Sequence, residues 1–108
     1  MKVVEKVWGR EIWLVNEPEY CCKLLELNKG ASGSLHYHRL KKETFIIRKG
    51  KVTVELDALH LILDEGDPPY TILPGQVHRM AGLEDSIILE VSTYHDDDDV
   101  VRLEASKA

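Results

Sequence analysis

Two histidines one residue apart and a nearby glutamate have the residue types and spacing of a metal site. His36 and His38 stand in the stretch GASGSLHYHRLKKETFIIRKG, residues 30–50, and Glu43 follows after the polar interval RLKK. Residues i and i+2 of a strand point to the same face, with Cα atoms roughly 6.5 Å apart. Both imidazoles can therefore converge on one ion. Glu43 can bind the same ion if RLKK forms a loop, because a loop allows the next strand to begin with Glu43 facing inward.

A third histidine can complete this ligand set. His78 follows the Pro74-Gly75 turn and begins what we expect to be another inward-facing strand. Three imidazoles and a carboxylate suit Fe, Mn, Co, Ni or Zn, and the chain has no thiolate set for a closed structural zinc site. We therefore predict one divalent transition metal, bound by His36, His38, Glu43 and His78 and keeping open positions for water or a ligand.

The strands that must position these residues are short. Apolar or alternating runs are separated by turn residues throughout the chain: REIWLV, CKLLELN, ETFIIRK, KVTVEL, ALHLIL, YTIL and DSIILEV. Many short strands with frequent turns are typical of an all-β sandwich or barrel. We interpret Lys49-Gly50 as a hairpin turn with Gly50 at positive φ. The acidic tail HDDDDVVRLE fits either one helical turn or an extended chain.

Composition narrows the function classes. The 108 residues are 44% apolar and 31% charged with a net charge of −5, and we expect one domain over residues 1–108. Scattered basic residues argue against nucleic acid as a partner. The N-terminus lacks the pattern of a signal peptide, and no apolar run approaches the ~20 residues that span a bilayer. Adjacent Cys21 and Cys22 are expected to be one buried and one exposed thiol in a reducing cytoplasm.

The spacing of these motifs resembles that of the cupins. Gly30, His36-x-His38, Glu43 and Gly50 match the first cupin motif, and the segment from Gly66-Asp67 to Pro74-Gly75-Gln76-Val77-His78 is similar to the second. The flanks VWGREIW and LEVSTYHDDDDVVRLE look like the cupin domain of type II mannose-6-phosphate isomerases and the small stand-alone cupins annotated after them. The resemblance implies a double-stranded β-helix (jelly-roll) barrel with His36, His38, Glu43 and His78 as ligands of an internal metal.

The resemblance also implies a small-molecule ligand, a carbohydrate above all, and a homodimer that pairs through edge strands. Three functions fit these features. The first is a sugar or sugar-phosphate isomerase with the metal as Lewis acid. The second is an Fe(II)-dependent oxygenase with the same ligands, and the third is a non-catalytic carbohydrate- or metabolite-binding cupin.

Glu90 in SIILEVST is the candidate general base for the isomerase. It has a raised pKa if Ile88, Glu90 and Ser92 face the barrel interior, and it lies in water if Ile87, Leu89 and Val91 do so instead, because strand periodicity alone does not choose the phase. We expect Lys41 to lie in a solvated loop, His95 and the Asp96–Asp99 run to be in solvent, and Arg79 to form a surface salt bridge. Trp8 and Trp13 are expected in the core or at a subunit interface.

Overall fold

Eleven β-strands and one 3₁₀ turn form the regular structure of the chain, which the computed structural model describes over residues 1–108. The 3₁₀ turn is Asp97–Asp99. No helix is present that is long and apolar enough to span a membrane. In chain order the strands are β1 Lys2–Lys6, β2 Gly9–Glu17, β3 Tyr20–Leu27, β4 Leu35–His38, β5 Glu43–Lys49, β6 Lys51–Leu56, β7 Leu59–Asp64, β8 Tyr70–Ile72, β9 His78–Gly82, β10 Ser86–Ser92 and β11 Val100–Glu104.

The strands form two sheets. The first has six strands in the order β1-β2-β3-β10-β5-β8, and the second has five in the order β11-β4-β9-β6-β7. Strand pairs within both sheets are antiparallel. The prediction of an all-β, double-stranded β-helix barrel is confirmed. The acidic tail combines both expected conformations, because the 3₁₀ turn leads directly into β11.

The predicted hairpin at Lys49-Gly50 is wrong. The strands on either side of Gly50 do not pair: β5 pairs with β8 and β10 in one sheet, and β6 pairs with β7 and β9 in the other. Gly50 does have positive φ, at 88°. A Cβ there would lie 2.4 Å from Ser86 Oγ and 2.6 Å from the Asp85 carbonyl oxygen. The glycine is thus the corner where the chain crosses between the sheets.

The barrel interior has an apolar end and a polar end, and alternation along each strand determines which residues face it. In β3 the inward residues are Cys21, Lys23, Leu25 and Leu27, all buried, while their neighbours are partly exposed. The apolar end is a continuous core formed by Leu25, Leu27, Ala31, Phe45, Ile47, Val52, Val54, Leu56, Leu63, Ile72 and Ile88. The polar end contains the histidines and the buried charged residues, so the fold positions a site at one end and is stabilised by apolar burial at the other.

Candidate metal centre

Three of the predicted ligands converge at the polar end of the barrel. His36 in β4 is directly opposite His78 in β9, with ring centroids 4.4 Å apart. His38 lies on the same face of β4 as His36, as the i, i+2 rule predicts, with ring centroids 5.0 Å apart. One nitrogen from each of the three rings lies within 4.8 Å of the other two, which is close enough for all three to bind one ion.

Glu43 reaches the same point from the opposite sheet. The chain leaves one sheet at His38 and enters the other at Glu43, so the two side chains face each other across the barrel. Oε1 of Glu43 lies 3.4 Å from Nε2 of His38, and Oε2 lies 3.2 Å from Nε2 of His78. The expected resetting of the register therefore occurs, and its physical cause is a change of sheet.

Backbone contacts orient two of the imidazoles. Nδ1 of His36 lies 2.9 Å from the Ser34 carbonyl oxygen, and Nδ1 of His78 lies 2.9 Å from the Gln76 carbonyl oxygen. A carbonyl oxygen only accepts, so each Nδ1 carries a proton and each Nε2 points to the centre, where it presents a lone pair when the ring is neutral. This is the arrangement that metal-binding histidines require.

The turn before His78 is itself fixed by local chemistry. The amide of Gln76 donates to the Leu73 carbonyl at 3.2 Å, and Gly75 has φ +82° between them. Proline at the second position and glycine at the third are what a type II turn requires. Gly75 also donates its amide to the His38 carbonyl at 2.7 Å, which fastens the turn beside β4.

The donor atoms fit a divalent transition metal. Glu43 Oε2 is buried without a hydrogen-bond partner, yet it faces a nitrogen lone pair of His78 at 3.2 Å. Two such acceptors need a cation between them, either a proton on His78 or a metal ion. Bonds of about 2.1 Å at right angles put neighbouring ligand atoms ~3 Å apart, close to the separations between Glu43 and its two histidines.

The ionisation states are set by burial and by these contacts. Burial, followed by the positive charge of His78, lowers the pKa of His36 to about 4. Burial acts against the charged forms of Glu43 and His78, but contacts with His38 and His78 outweigh it for Glu43, and the contact with Glu43 outweighs it for His78: the pKa of Glu43 falls well below its usual value and that of His78 is raised. The site thus keeps a carboxylate and at least one neutral imidazole near neutral pH, as metal binding demands.

Lys41 lies beside this cluster, which corrects the expectation of a solvated loop residue. Only 2% of the residue is exposed. Its Nζ lies 3.1 Å from Glu43 Oε1, 2.7 Å from Glu90 Oε2 and 2.9 Å from His95 Nδ1. Burial acts to lower the pKa of Lys41, but the two carboxylates outweigh it and the pKa is raised. The ammonium therefore remains charged and its three donors are all engaged.

The acidic tail holds Lys41 in place, so the expectation of a solvated Asp96–Asp99 run is wrong at its last residue. The buried carboxylate of Asp99 accepts hydrogen bonds from the amides of Leu40 and Lys41 at 2.9 and 3.0 Å. On the other side, Thr93 Oγ1 accepts from the amide of Lys42 at 3.0 Å. These bonds clamp the loop between β4 and β5 in the one conformation that turns Lys41 inward.

His95 is also part of the site, contrary to the expectation that it lies in solvent. Its side chain is 11% exposed, with Nδ1 accepting from Lys41 and Nε2 lying 2.8 Å from Asp97 Oδ1. Lysine can only donate and a carboxylate can only accept, so the ring is neutral with its proton on Nε2. Burial, and then the charge of Lys41, lowers the pKa of His95 to about 4.

Glu90 faces the interior, which resolves the phase that periodicity left open. Ile88, Glu90 and Ser92 are buried at 1%, 4% and 8% exposure, whereas Val91 is 45% exposed. Oε2 of Glu90 accepts from Lys41 and, at 3.2 Å, from Ser92 Oγ. No local sequence pattern indicated that Lys41 would be the cationic partner of Glu90.

A second lysine, Lys23, is buried and was not predicted to be so from the sequence. Lys23 is 1% exposed, opposite Glu90 on β10 and opposite Trp13 on β2. Its Nζ lies 4.0 Å from the centre of the Trp13 ring. The signal was available in CKLLELN, where Lys23 falls in the same alternating phase as Leu25 and Leu27. Trp8 packs against the core, as expected, and both Trp8 and Trp13 line the cavity.

These residues surround one cavity of about 230 Å³. The three histidines, Glu43, Lys41 and Glu90 line its inner part, together with Lys23 and His95. Lys2, Lys6, Asp97 and Arg102 also contribute to its wall. Arg79 does not line this cavity and pairs with Glu55 and Glu104, as expected. Cys21 and Cys22 are free thiols, the first buried and the second partly exposed.

Comparison with known families places the whole sequence in one of them. The family described as mannose-6-phosphate isomerase C-terminal matches residues 1–105. No curated protein sequence matches the chain.

Solved structures share the fold at low sequence identity. KdgF from Halomonas sp. matches with a TM-score of 0.75 and 22% identity over 82% of each chain. CapF from Staphylococcus aureus, a capsular polysaccharide assembling protein, matches with a TM-score of 0.81 and 16% identity, over 96% of this chain but 34% of its own. Streptomyces PAC13, solved with uridine, matches with a TM-score of 0.82 and 12% identity, over 96% of this chain and 84% of its own. The likeness shows a common cupin barrel.

Proposed function

The chain belongs to the mannose-6-phosphate isomerase C-terminal family, and from that premise we propose that it is a metal-binding cupin that isomerises a sugar or sugar phosphate. The observation that carries the proposal is the pairing of Glu43 Oε2 with His78 Nε2, two buried acceptors 3.2 Å apart. That pairing calls for a cation, either a proton on His78 or a metal ion, at the point where His36 and His38 also converge.

We propose His36, His38, Glu43 and His78 as the metal ligands and Fe, Mn, Co, Ni or Zn as the ion. When bound, such an ion supplies a Lewis acid for vicinal sugar oxygens. The walls of the cavity supply the other requirements of the reaction. Trp8 and Trp13 offer flat apolar surfaces of the kind on which a sugar ring packs, while the buried lysines and carboxylates offer hydrogen bonds to its hydroxyls.

Glu90 is the proposed acid–base residue. Both of its hydrogen bonds go to Oε2, so Oε1 is the oxygen that takes a proton from one ligand carbon and returns it to the next. Lys41 holds Oε2 and fixes the direction in which Oε1 points. The carboxylate moves the carbon-bound proton from C2 to C1 while the hydroxyl proton moves from O2 to O1, and together these transfers interconvert an aldose and a ketose with no net change in atoms.

Exchange of a carbon-bound proton with solvent tests this proposal. Hexoses and hexose 6-phosphates are incubated in D₂O with protein loaded with each candidate metal, and deuterium at the first and second carbons is followed by NMR. The proposal predicts exchange in the wild type and its loss in E90Q with metal content unchanged. Absence of exchange and of isomerisation with every metal and sugar would contradict the isomerase and leave a non-catalytic binding cupin.

We further propose a homodimer that packs through the outer face of the six-stranded sheet. One lateral row across this face is aliphatic over five strands in register: Val3, Ile12, Leu24, Leu89 and Ile46. Val3 is 51% exposed and Val91, on the same face of β10, is 45% exposed. A continuous aliphatic surface of this kind is typical of an obligate interface.

The proposed compartment is the cytoplasm. Cys21 and Cys22 are unpaired, and burial raises the pKa of the Cys21 thiol, which makes it a weak nucleophile. Two free thiols in a small domain fit a reducing environment.

A further inference from the structure

The ammonium of Lys23 has spare hydrogen-bonding capacity. An ammonium has three N–H donors, and no hydrogen bond from Lys23 Nζ to the protein is present. The nearest carboxylate oxygen, Glu11 Oε1, lies 3.7 Å away and already accepts from Trp13 Nε1 at 2.8 Å. Buried polar groups are nearly always hydrogen-bonded, because an unmade bond costs the desolvation of the group. Lys23 is therefore a buried cation without a hydrogen-bond acceptor, whose contacts are the 3.7 Å ion pair with Glu11 and the face of Trp13.

Lys41 shows what a structural lysine looks like in the same cavity. Its three donors have three acceptors between 2.7 and 3.1 Å, and both neighbouring carboxylates compensate its charge. Lys23 has one distant carboxylate and the face of Trp13. Burial, only partly opposed by Glu90, lowers the pKa of Lys23, which is the mark of a charge that the protein itself compensates incompletely.

Like Lys23 itself, the set of charged residues that line the cavity has a net positive charge. Five basic and four acidic residues line it, in a chain whose net charge is −5: Lys2, Lys6, Lys23, Lys41 and Arg102 against Glu11, Glu43, Glu90 and Asp97. A divalent ion at the proposed metal centre makes this excess larger. Such a site attracts an anionic ligand and disfavours a cationic one.

We propose that Lys23 binds an anionic oxygen group, a carboxylate or a phosphate, of the ligand and is the residue that selects charged sugars over neutral ones. The proposal rests on the proposed function only in taking the ligand to be a sugar. An oxyanion beside Nζ accepts the unused N–H donors and neutralises the buried charge, while Trp13 packs against the attached carbon skeleton.

The test uses the fluorescence of the tryptophans, since Trp13 is in contact with Lys23 Nζ. Glucuronate, glucose 6-phosphate and neutral glucose are titrated into metal-loaded protein and into protein treated with chelator. The wild type, K23M, K23Q and the control K29M are compared, because Lys29 is exposed and its side chain makes no ion pair. Metal content is measured on the same samples.

We expect the wild type to bind at least one of the two anionic sugars roughly ten-fold more tightly than glucose, as a charge-assisted hydrogen bond is able to provide. K23M and K23Q lose that preference while K29M retains it, and the tighter of the two anions identifies the group. Equal binding of glucose and both anions by the wild type, or an unchanged preference in both Lys23 variants, overturns the proposal. Absence of metal from the wild type refutes the metal centre instead, and anion selectivity in chelated protein still decides the role of Lys23.

Discussion

Nζ of Lys41 lies 2.7 Å from Oε2 of Glu90, and the same ammonium lies 3.1 Å from Oε1 of Glu43. One buried cation therefore joins the proposed acid–base residue to a proposed metal ligand. Each carboxylate depends on Lys41 for compensation of its charge, and Lys41 depends on the Asp99 carboxylate for the conformation of its loop. The proposed metal centre and the proposed proton-transfer residue are thus one electrostatic unit.

Replacing Lys41 is expected to destabilise the fold strongly. K41M leaves two buried carboxylates without their shared cation, and removal of one partner from such a network costs about 3 kcal/mol or more. Equilibrium denaturation in urea measures the loss. The neighbouring K42M is the matched control, because Lys42 is exposed and only its backbone is hydrogen-bonded to Thr93. Equal stability of K41M and K42M would contradict the network.

Stability is expected to fall between pH 6.5 and pH 4 because of His95. Its pKa is about 4 in the folded protein against 6.5 for an exposed imidazole, so the unfolded chain binds a proton first as the pH falls. The stability contributed by the neutral ring is complete above about pH 6.5 and decreases towards pH 4, by up to about 3 kcal/mol.

Urea denaturation of H95Q across this range isolates the contribution of His95. The variant should show a shallower fall, and His36 contributes to the part that remains since its pKa is also about 4. H60Q is the control, because the His60 side chain is 71% exposed and its loss should leave the slope unchanged. Identical slopes for wild type and H95Q would show that His95 is not buried as a neutral ring.

Gly50 and Gly66 have nearly the same φ, so alanine substitutions at the two positions separate the stability cost of steric crowding from that of backbone conformation. Gly50 has φ +88° and Gly66 has φ +85°, but only Gly50 is enclosed, by Ser86 and Asp85. G66A is expected to cost about 1 kcal/mol for the left-handed backbone alone. G50A is expected to cost about 3 kcal/mol because the added methyl must also displace Ser86. Thermal unfolding of both variants gives the difference, and equal costs would contradict the enclosure of Gly50 by Ser86 and Asp85.

The proposed dimer is tested by placing charge in the aliphatic row. L89E puts a carboxylate at the middle of the row, between Leu24 and Ile46, and burying an unpaired charge against a partner is unfavourable enough to dissociate it. We expect a dimer for the wild type and a monomer for L89E by light scattering after size exclusion. The control L59E changes an exposed leucine of the other sheet and should remain dimeric. A monomeric wild type would contradict the proposal.

Much of this fold could be predicted from the sequence because its strands are short, alternating and bounded by turn residues. Each of the seven apolar runs lies in one strand apart from at most one residue at an end, and the i, i+2 rule correctly put His36 and His38 on one face. The turn chemistry at Pro74-Gly75 correctly indicated a tight turn before an inward His78.

The rest of the site depends on contacts that no local pattern contains. Lys41 and His95 are 54 positions apart in the chain. Their side chains meet because Asp99 and Thr93 fix the loop between β4 and β5, which contains Lys41. A lysine in a polar loop and a histidine before four aspartates both have the local signature of solvent exposure. The prediction of a hairpin at Gly50 was wrong for a related reason. A glycine with positive φ indicates a turn, but it does not determine whether the two flanking strands pair in one sheet.

Metal content by elemental analysis of untagged protein purified without chelator tests the central claim most directly. The account predicts one Fe, Mn, Co, Ni or Zn ion per chain in the wild type and its loss in both H36A and H78A. H60A and E90Q should retain the ion, since His60 is exposed and Glu90 is proposed to act on the ligand. A wild type without metal, or an ion that is kept in both H36A and H78A, would contradict the central claim.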